Sequence, residues 1–282
     1  MGIRSFFHKL EIGFIRLLTP SLPNNSEAKR YGEIGEDTLV RTLQLRLPAC
    51  KIKQNILIQS AEGTAELDCL VLYQNKLFAI EVKRWKGDLY ESESGFVQKK
   101  CDRWTGEIHC ERHRSPFKQL SRGIYLLRKQ NPHRAWVNPI VFFEDADRVS
   151  VGEGQVWFCK ISHLLSYITE EGRTSDPREA ARFFDCCVAA DSLYANGGGC
   201  VRKGIVCEES LRFSTPAGVL TRREIRSISI THCWAYDELA ILTADERLHR
   251  IIVENGSLLM EENGYVKSFP LCRVDKIRLG TP

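Results

Sequence analysis

The chain has 282 residues, with 40 Lys and Arg against 36 Asp and Glu for a net charge of +4, 43% hydrophobic residues and 27% charged ones. This balance is that of an ordinary soluble protein; it excludes an acidic disordered chain, a collagen-like repeat and low-complexity sequence, and no run nears the roughly 18–20 apolar residues of a membrane-crossing helix. Eleven cysteines, with no Cys-x-x-Cys pair and several set in apolar runs, fit free buried thiols of a reducing compartment, and Lys9, Glu11 and Arg16 interrupt any secretory apolar region, so a cytoplasmic location is expected.

Residues 1–19 place Ile3, Phe6, Phe7, Leu10, Phe14, Leu17 and Leu18 at helical spacing, and Pro20 and Pro23 end the pattern. Such a stripe suits a helix packed on its own protein or on a partner copy in a homodimer. With Arg4, Lys9 and Arg16 beside it, a membrane-surface helix is the weaker alternative. A second helix is expected over 27–46, marked by Ile34, Leu39, Leu43 and Leu47 and stopped at Pro48. Strands follow at 52–58, 66–73 and 77–83, the last two joined by a hairpin-length turn at Gln74-Asn75-Lys76. Residues 114–130 read as a helix with Pro116 in its first turn, 137–143 and 155–158 as strands, and 161–169 and 177–194 as helices. Strands separated by helices predict a mixed α/β domain over 27–195. Asn196-Gly197-Gly198-Gly199 then reads as a linker, and residues 200–282 as a smaller β-rich domain with hairpin-type turns at Asn255-Gly256 and Asn263-Gly264.

Three charged residues interrupt the apolar strands. Glu81 and Lys83 lie two apart, so on a strand they share a face; Asp68 lies on the neighbouring strand. Charges in a core run are costly unless paired or bound to metal. Two carboxylates and an ammonium are the set that phosphodiester hydrolysis requires. The carboxylates suit Mg²⁺ or Mn²⁺, which lowers the pKa of water, and the ammonium stabilises developing negative charge. Glu36, in Gly32-Glu33-Ile34-Gly35-Glu36, is placed to add a third carboxylate from a helix.

These residues and their order resemble the PD-(D/E)XK nuclease superfamily and, more narrowly, the nuclease-related domain (NERD) family. The resemblance runs over about residues 27–145. It rests on Gly32 to Glu36, Leu67-Asp68, Ile80-Glu81-Val82-Lys83-Arg84-Trp85-Lys86-Gly87, and the helix start Ser115-Pro116-Phe117-Lys118-Gln119. It implies a restriction-endonuclease-like α/β fold, Mg²⁺ and a DNA substrate, with Glu36, Asp68 and Glu81 as metal ligands and Lys83 as the charge-stabilising group. Gln119 is a candidate for steering water or a phosphate. The Gln-x-x-x-Tyr pattern of some superfamily members is absent, since Gln119 and Tyr125 stand six apart, and so is the paired-cysteine tail of some family members.

Residues 83–134 hold thirteen Lys and Arg against six Asp and Glu, an excess larger than that of the whole chain. Lys86, Lys99, Lys100, Arg103, Trp104 and Lys118 combine cations with an aromatic ring, as a DNA-binding surface does. Cys101, His109, Cys110 and His113 are zinc-ligand types, but the adjacency of His109 and Cys110 is awkward for one tetrahedral ion. The rival to a metal-dependent deoxyribonuclease is a non-catalytic DNA-binding or interaction module on the same fold.

Overall fold

The computed structural model describes residues 3–18, 27–93, 95–102, 104–195, 200–216, 218–262 and 264–280. The chain divides into two units, one of Tyr31–Ala189 and one of Met1–Arg30 with Ala190–Pro282. Helix α1 (Ile3–Leu18) belongs to the second of these, and α2 (Glu27–Arg46) supplies the opening helix of the first. Among the described residues no helix is long and apolar enough to cross a membrane.

In the first unit α2 leads into an antiparallel meander of β1 (Lys51–Ser60), β2 (Gly63–Tyr73) and β3 (Lys76–Lys83). The two-residue turn Gln74-Asn75 joins the last two strands, with Gln74 at φ 55°. Next come β4 (Gly87–Ser92), β5 (Gly95–Cys101), β6 (Ile108–His113), α3 (Pro116–Gln130), β7 (Val137–Phe143), β8 (Ala146–Ser150), β9 (Trp157–Phe158), α4 (Ile161–Glu170) and α5 (Pro177–Asp185). The main sheet has the order β1-β2-β3-β7-β9, with β7 parallel to both β3 and β9; β6-β5-β4-β8 form a second sheet.

Strand alternation sorts the core into two layers. Phe78, Ile80 and Val82 of β3 pack under Leu39, Val40 and Leu43 of α2 and Leu164 and Ile168 of α4. Leu77 and Ala79 face the other way, onto Leu120, Ile124 and Leu127 of α3 and Phe183 and Phe184 of α5. Ser115 caps α3, its hydroxyl accepting from the Lys118 N–H, and Pro116 occupies the first turn. The unit is a mixed α/β fold of the nuclease-like kind.

The second unit comprises β10 (Asp191–Tyr194), β11 (Cys200–Val206), β12 (Phe213–Thr215), β13 (Gly218–Leu220), β14 (Ile225–His232), β15 (Asp237–Thr243), β16 (Leu248–Val253), β17 (Ser257–Glu262), β18 (Tyr265–Pro270) and β19 (Lys276–Arg278). Eight of these form one sheet in the order β16-β15-β14-β19-β10-β11-β17-β18, and β12 and β13 pair separately. Its core contains Leu193, Ile228, Leu239, Ile241, Met260 and Ile277.

Four sequence expectations change. The helix expected over 177–194 ends at Asp185, and Asp191–Tyr194 is a strand. The reason is tertiary: Leu193 enters the second core, and the buried Asp191 carboxylate takes a bidentate Arg222 guanidinium at 2.5 and 2.8 Å. Asn255-Gly256 does not close a hairpin, because β16 pairs with β15 whereas β17 pairs with β11 and β18. Segments that the sequence leaves outside any expected strand form β4, β5, β6 and β8, whose polar composition carries no apolar alternation to mark them. Finally, the side chains described in α1 bury Ile12 and Arg16, while Phe14, Leu17 and Leu18 of the expected stripe stay exposed. Arg16 is drawn inward by Asp237, at 2.6 Å, and by the carbonyls of Cys233 and Tyr236.

Candidate active site

The site begins where two strands part. β2 pairs with β3 only from Tyr73 back to Cys69, opposite Ile80. Beyond that point β2 stays with β1, and β3 stays with β7 through Glu81, Val82 and Lys83. One register step past the last β2–β3 pair, Asp68 and Glu81 stand opposite each other in the resulting notch. The Val82 N–H, left without a β2 carbonyl, donates to Asp68 Oδ2 at 2.8 Å. The splay thus fixes the Asp68 carboxylate beside β3 instead of in solvent.

Glu81 is fully buried. Lys83 Nζ donates to its Oε1 at 2.5 Å, and its Oε2 is buried with no hydrogen-bond partner among the described residues. An unpartnered buried carboxylate oxygen is a costly group. Burial raises the pKa of Glu81 well above the carboxylate range, the neighbouring Asp68 and Glu66 push it further, and Lys83 partly offsets them. Burial acts against the Lys83 ammonium, but Glu81, Asp68 and Glu36 outweigh it and raise the Lys83 pKa.

Glu36 is half-buried on α2 and acts electrostatically on both Lys83 and Cys69. Its helix is anchored by a cluster that sequence reasoning missed. Arg84 Nε lies 2.8 Å from Glu144 Oε2, Arg84 NH2 lies 3.3 Å from Asp145 Oδ2, and the guanidinium covers the Tyr31 ring at 3.9 Å. The Tyr31 hydroxyl donates to Asp145 at 2.5 Å. Gly35 faces this cluster: a Cβ there would meet Arg84 Cδ at 2.4 Å. The signal available in the sequence was Arg84 itself, next to Lys83, and Gly35 one residue before Glu36.

The other expected residues are more dispersed. Gln119 is exposed in the first turn of α3, and no side-chain contact joins it to Asp68, Glu81 or Lys83 among the described residues. Lys86 is exposed after β3, its ammonium 5.5 Å from the Tyr31 ring centroid. Lys99 leans over Tyr90, Lys100 is paired with Glu111 at 3.0 Å, and Lys118 is exposed on α3. Trp104, 97% exposed, sits at the tip of the β5–β6 hairpin; Arg103 lies outside the described residues. His113 stacks on Trp85 at 4.3 Å, with Nε2 2.8 Å from Gln98 Oε1. Among the described residues no three His, Cys, Asp or Glu form a group that could hold a metal ion, whether Glu36, Asp68 and Glu81 or the Cys101–His113 cluster.

A mixed sheet with Asp on one strand and Glu-x-Lys on the next, covered by helices on both faces, defines a nuclease-like α/β domain. Residues 31–144 match the family model described as nuclease-related domain (NERD), a family of the PD-(D/E)XK superfamily. No curated protein and no solved structure matches the chain. The match points to a nuclease-related function for residues 31–144.

Proposed function

We propose that the Tyr31–Ala189 unit is a metal-dependent deoxyribonuclease that hydrolyses phosphodiester bonds at the β2–β3 notch. The observation that carries this reading is Glu81, whose buried Oε2 has no hydrogen-bond partner among the described residues while Asp68 and Lys83 adjoin it. Asp68 and Glu81 provide hard oxygen donors of the kind Mg²⁺ or Mn²⁺ takes, with waters filling the remaining positions and Glu36 the candidate third carboxylate. Such a cation, when bound, lowers the pKa of water and neutralises phosphate charge. Lys83, held on Glu81, keeps a fixed positive charge where the pentacoordinate phosphate gains negative charge. Gln119 would steer water or a phosphate from the start of α3. Lys86, Lys99, Lys100, Arg103, Trp104 and Lys118 would hold the DNA backbone and stack bases.

One observation favours the non-catalytic DNA-binding module instead: no three carboxylates come together as a metal group among the described residues. Incubating the protein with linear, circular and single-stranded DNA, with Mg²⁺, Mn²⁺ or chelator, separates the two. Metal-dependent cleavage of any form supports the nuclease. Folded protein that binds DNA and metal yet cuts none of them supports the binding module.

A further inference from the structure

We propose that a cleft at the C-terminal end of α3 is a second polynucleotide subsite, one that grips backbone phosphates away from the β2–β3 notch. The cleft has a volume of about 720 Å³ and is lined by Tyr125, Arg128, Asn131, Arg134, Trp136 and Pro139. Its indole is a fixed platform. Trp136 Nε1 donates to Asn138 Oδ1 at 3.1 Å, and its backbone N–H donates to Ser175 Oγ at 2.8 Å. Two guanidiniums lie against that ring, Arg173 at 4.4 Å and Arg128 at 5.6 Å from its centroid. Among the described residues none of the Arg128, Arg134 and Arg173 guanidiniums pairs with a carboxylate. The acids at the rim are already engaged: Glu62 by Lys129, and Glu179 by the Arg134 backbone N–H and His133. Planar guanidiniums without a carboxylate, held against a ring, are suited to bidentate capture of a phosphate. Tyr125, 56% exposed at the same cleft, offers a face for a base.

The cleft is also placed to serve a chain that occupies the notch. α3 carries Lys118, Arg122, Arg128 and Lys129 and no acidic residue, and all four are exposed. Its first turns lie at the notch end of β7 and its last turns at the cleft. Along the parallel β3–β7 pair, Leu77↔Val137 marks the cleft end, and Glu81↔Val141 to Lys83↔Phe143 mark the notch end. A separation of four to six residues is about 13–20 Å at the rise of a strand. That is about 4–6 nucleotide steps at the roughly 3.4 Å rise of a strand in a duplex, and fewer for an extended single strand. The direction of the chain, from notch to cleft, rests on the nuclease reading; the phosphate chemistry of the cleft does not.

The test is a binding titration of the full chain in chelator, so that cleavage plays no part. A fluorescent oligothymidylate of about 20 nucleotides and, separately, dTMP serve as probes over a range of salt. The double substitution Arg128→Ala with Arg134→Ala should weaken oligonucleotide binding by about tenfold and lower the salt slope by about 1.4, the value for two lost single-strand phosphate contacts. Arg128→Lys with Arg134→Lys should keep most of the slope. Unchanged affinity and slope in the Ala pair would assign these arginines to solvation and overturn the proposal. Loss of dTMP binding with the oligonucleotide unaffected would make the cleft a free-nucleotide site and also overturn it. Because no metal is present, a protein that cuts no DNA can still pass or fail this titration, which keeps the subsite and the nuclease reading separately testable.

Discussion

Gly32 and Gly35 lie one turn apart on α2 and face different surroundings. A Cβ at Gly32 would meet nothing within 4 Å, whereas one at Gly35 would strike Arg84, which is held by Glu144 and Asp145. Replacing an unhindered helix glycine with alanine gains about 0.5–1 kcal/mol, so Gly32→Ala should raise the urea midpoint. Gly35→Ala should lower the midpoint, through a stability loss of about 1–3 kcal/mol, because the arginine cannot yield without leaving its carboxylates. Equal shifts in both variants would mean that the Arg84 cluster does not hold α2. The proposed site residues separate in a similar way. Lys83→Ala removes a positive charge but no oxygen donor, so cleavage should fall about 10²–10³-fold and extra Mn²⁺ should not restore it. Asp68→Asn removes a charged donor, so excess Mn²⁺ should recover part of the rate. Identical metal responses in initial-rate assays would contradict this division of roles.

At the scale of elements, what was legible followed from periodicity. Asp68, Glu81 and Lys83 stood out because charge interrupted apolar strands, and the Gln74-Asn75 turn set the register that brings Asp68 opposite Glu81. Glu66, Tyr31, Arg84 and Glu144 did not stand out, since their roles depend on strands and helix ends meeting in space. The β4–β5–β6 hairpins escaped notice for a different reason: β6 has exposed side chains along nearly its whole length, so no apolar alternation marks it. Strand β10 was hidden inside a helical pattern because the pull on Asp191 comes from Arg222, thirty-one residues away. The exposure of β6 carries a prediction. It is an edge strand, whereas β3 is buried between β2 and β7. Amide exchange should therefore be much faster in Ile108–His113 than in Lys76–Lys83 under native conditions. Comparable protection in the two strands, measured by exchange mass spectrometry, would show that the hairpin is held by more than its ladder.

At the scale of the whole molecule, the two units have separate cores, and the second recruits a helix from the opposite end of the sequence. The junction within that unit joins an edge-on Phe14–Trp234 contact to a buried ion pair. The Asp237 carboxylate is fully buried, and it accepts from Arg16 of α1 through both oxygens and lies 2.9 Å from His232 Nδ1. His232 Nε2 in turn lies 3.2 Å from Asp275 Oδ1. Arg16→Ala would leave Asp237 buried with His232 as its one side-chain partner among the described residues, a loss of about 3 kcal/mol on the scale of broken buried pairs. Exchange should accelerate in Ile225–His232 and Asp237–Thr243 and stay unchanged in Lys76–Lys83. The hydrogen bond to Asp237 raises the His232 pKa, Asp275 adds to it, and burial opposes both. A raised histidine pKa means that the folded state binds the proton more tightly. The stabilisation is therefore complete below the unfolded pKa of about 6.5 and is lost as pH rises through the folded value. His232 is partly exposed, so the effect is at most about 1 kcal/mol. His232→Gln should consequently cost stability at pH 5.5–6 and nothing at about pH 9. Exchange protection of β14 and β15, corrected for the intrinsic pH dependence of the amides, reads this directly. A penalty that stays constant across that range would mean His232 acts by packing and not by its charge.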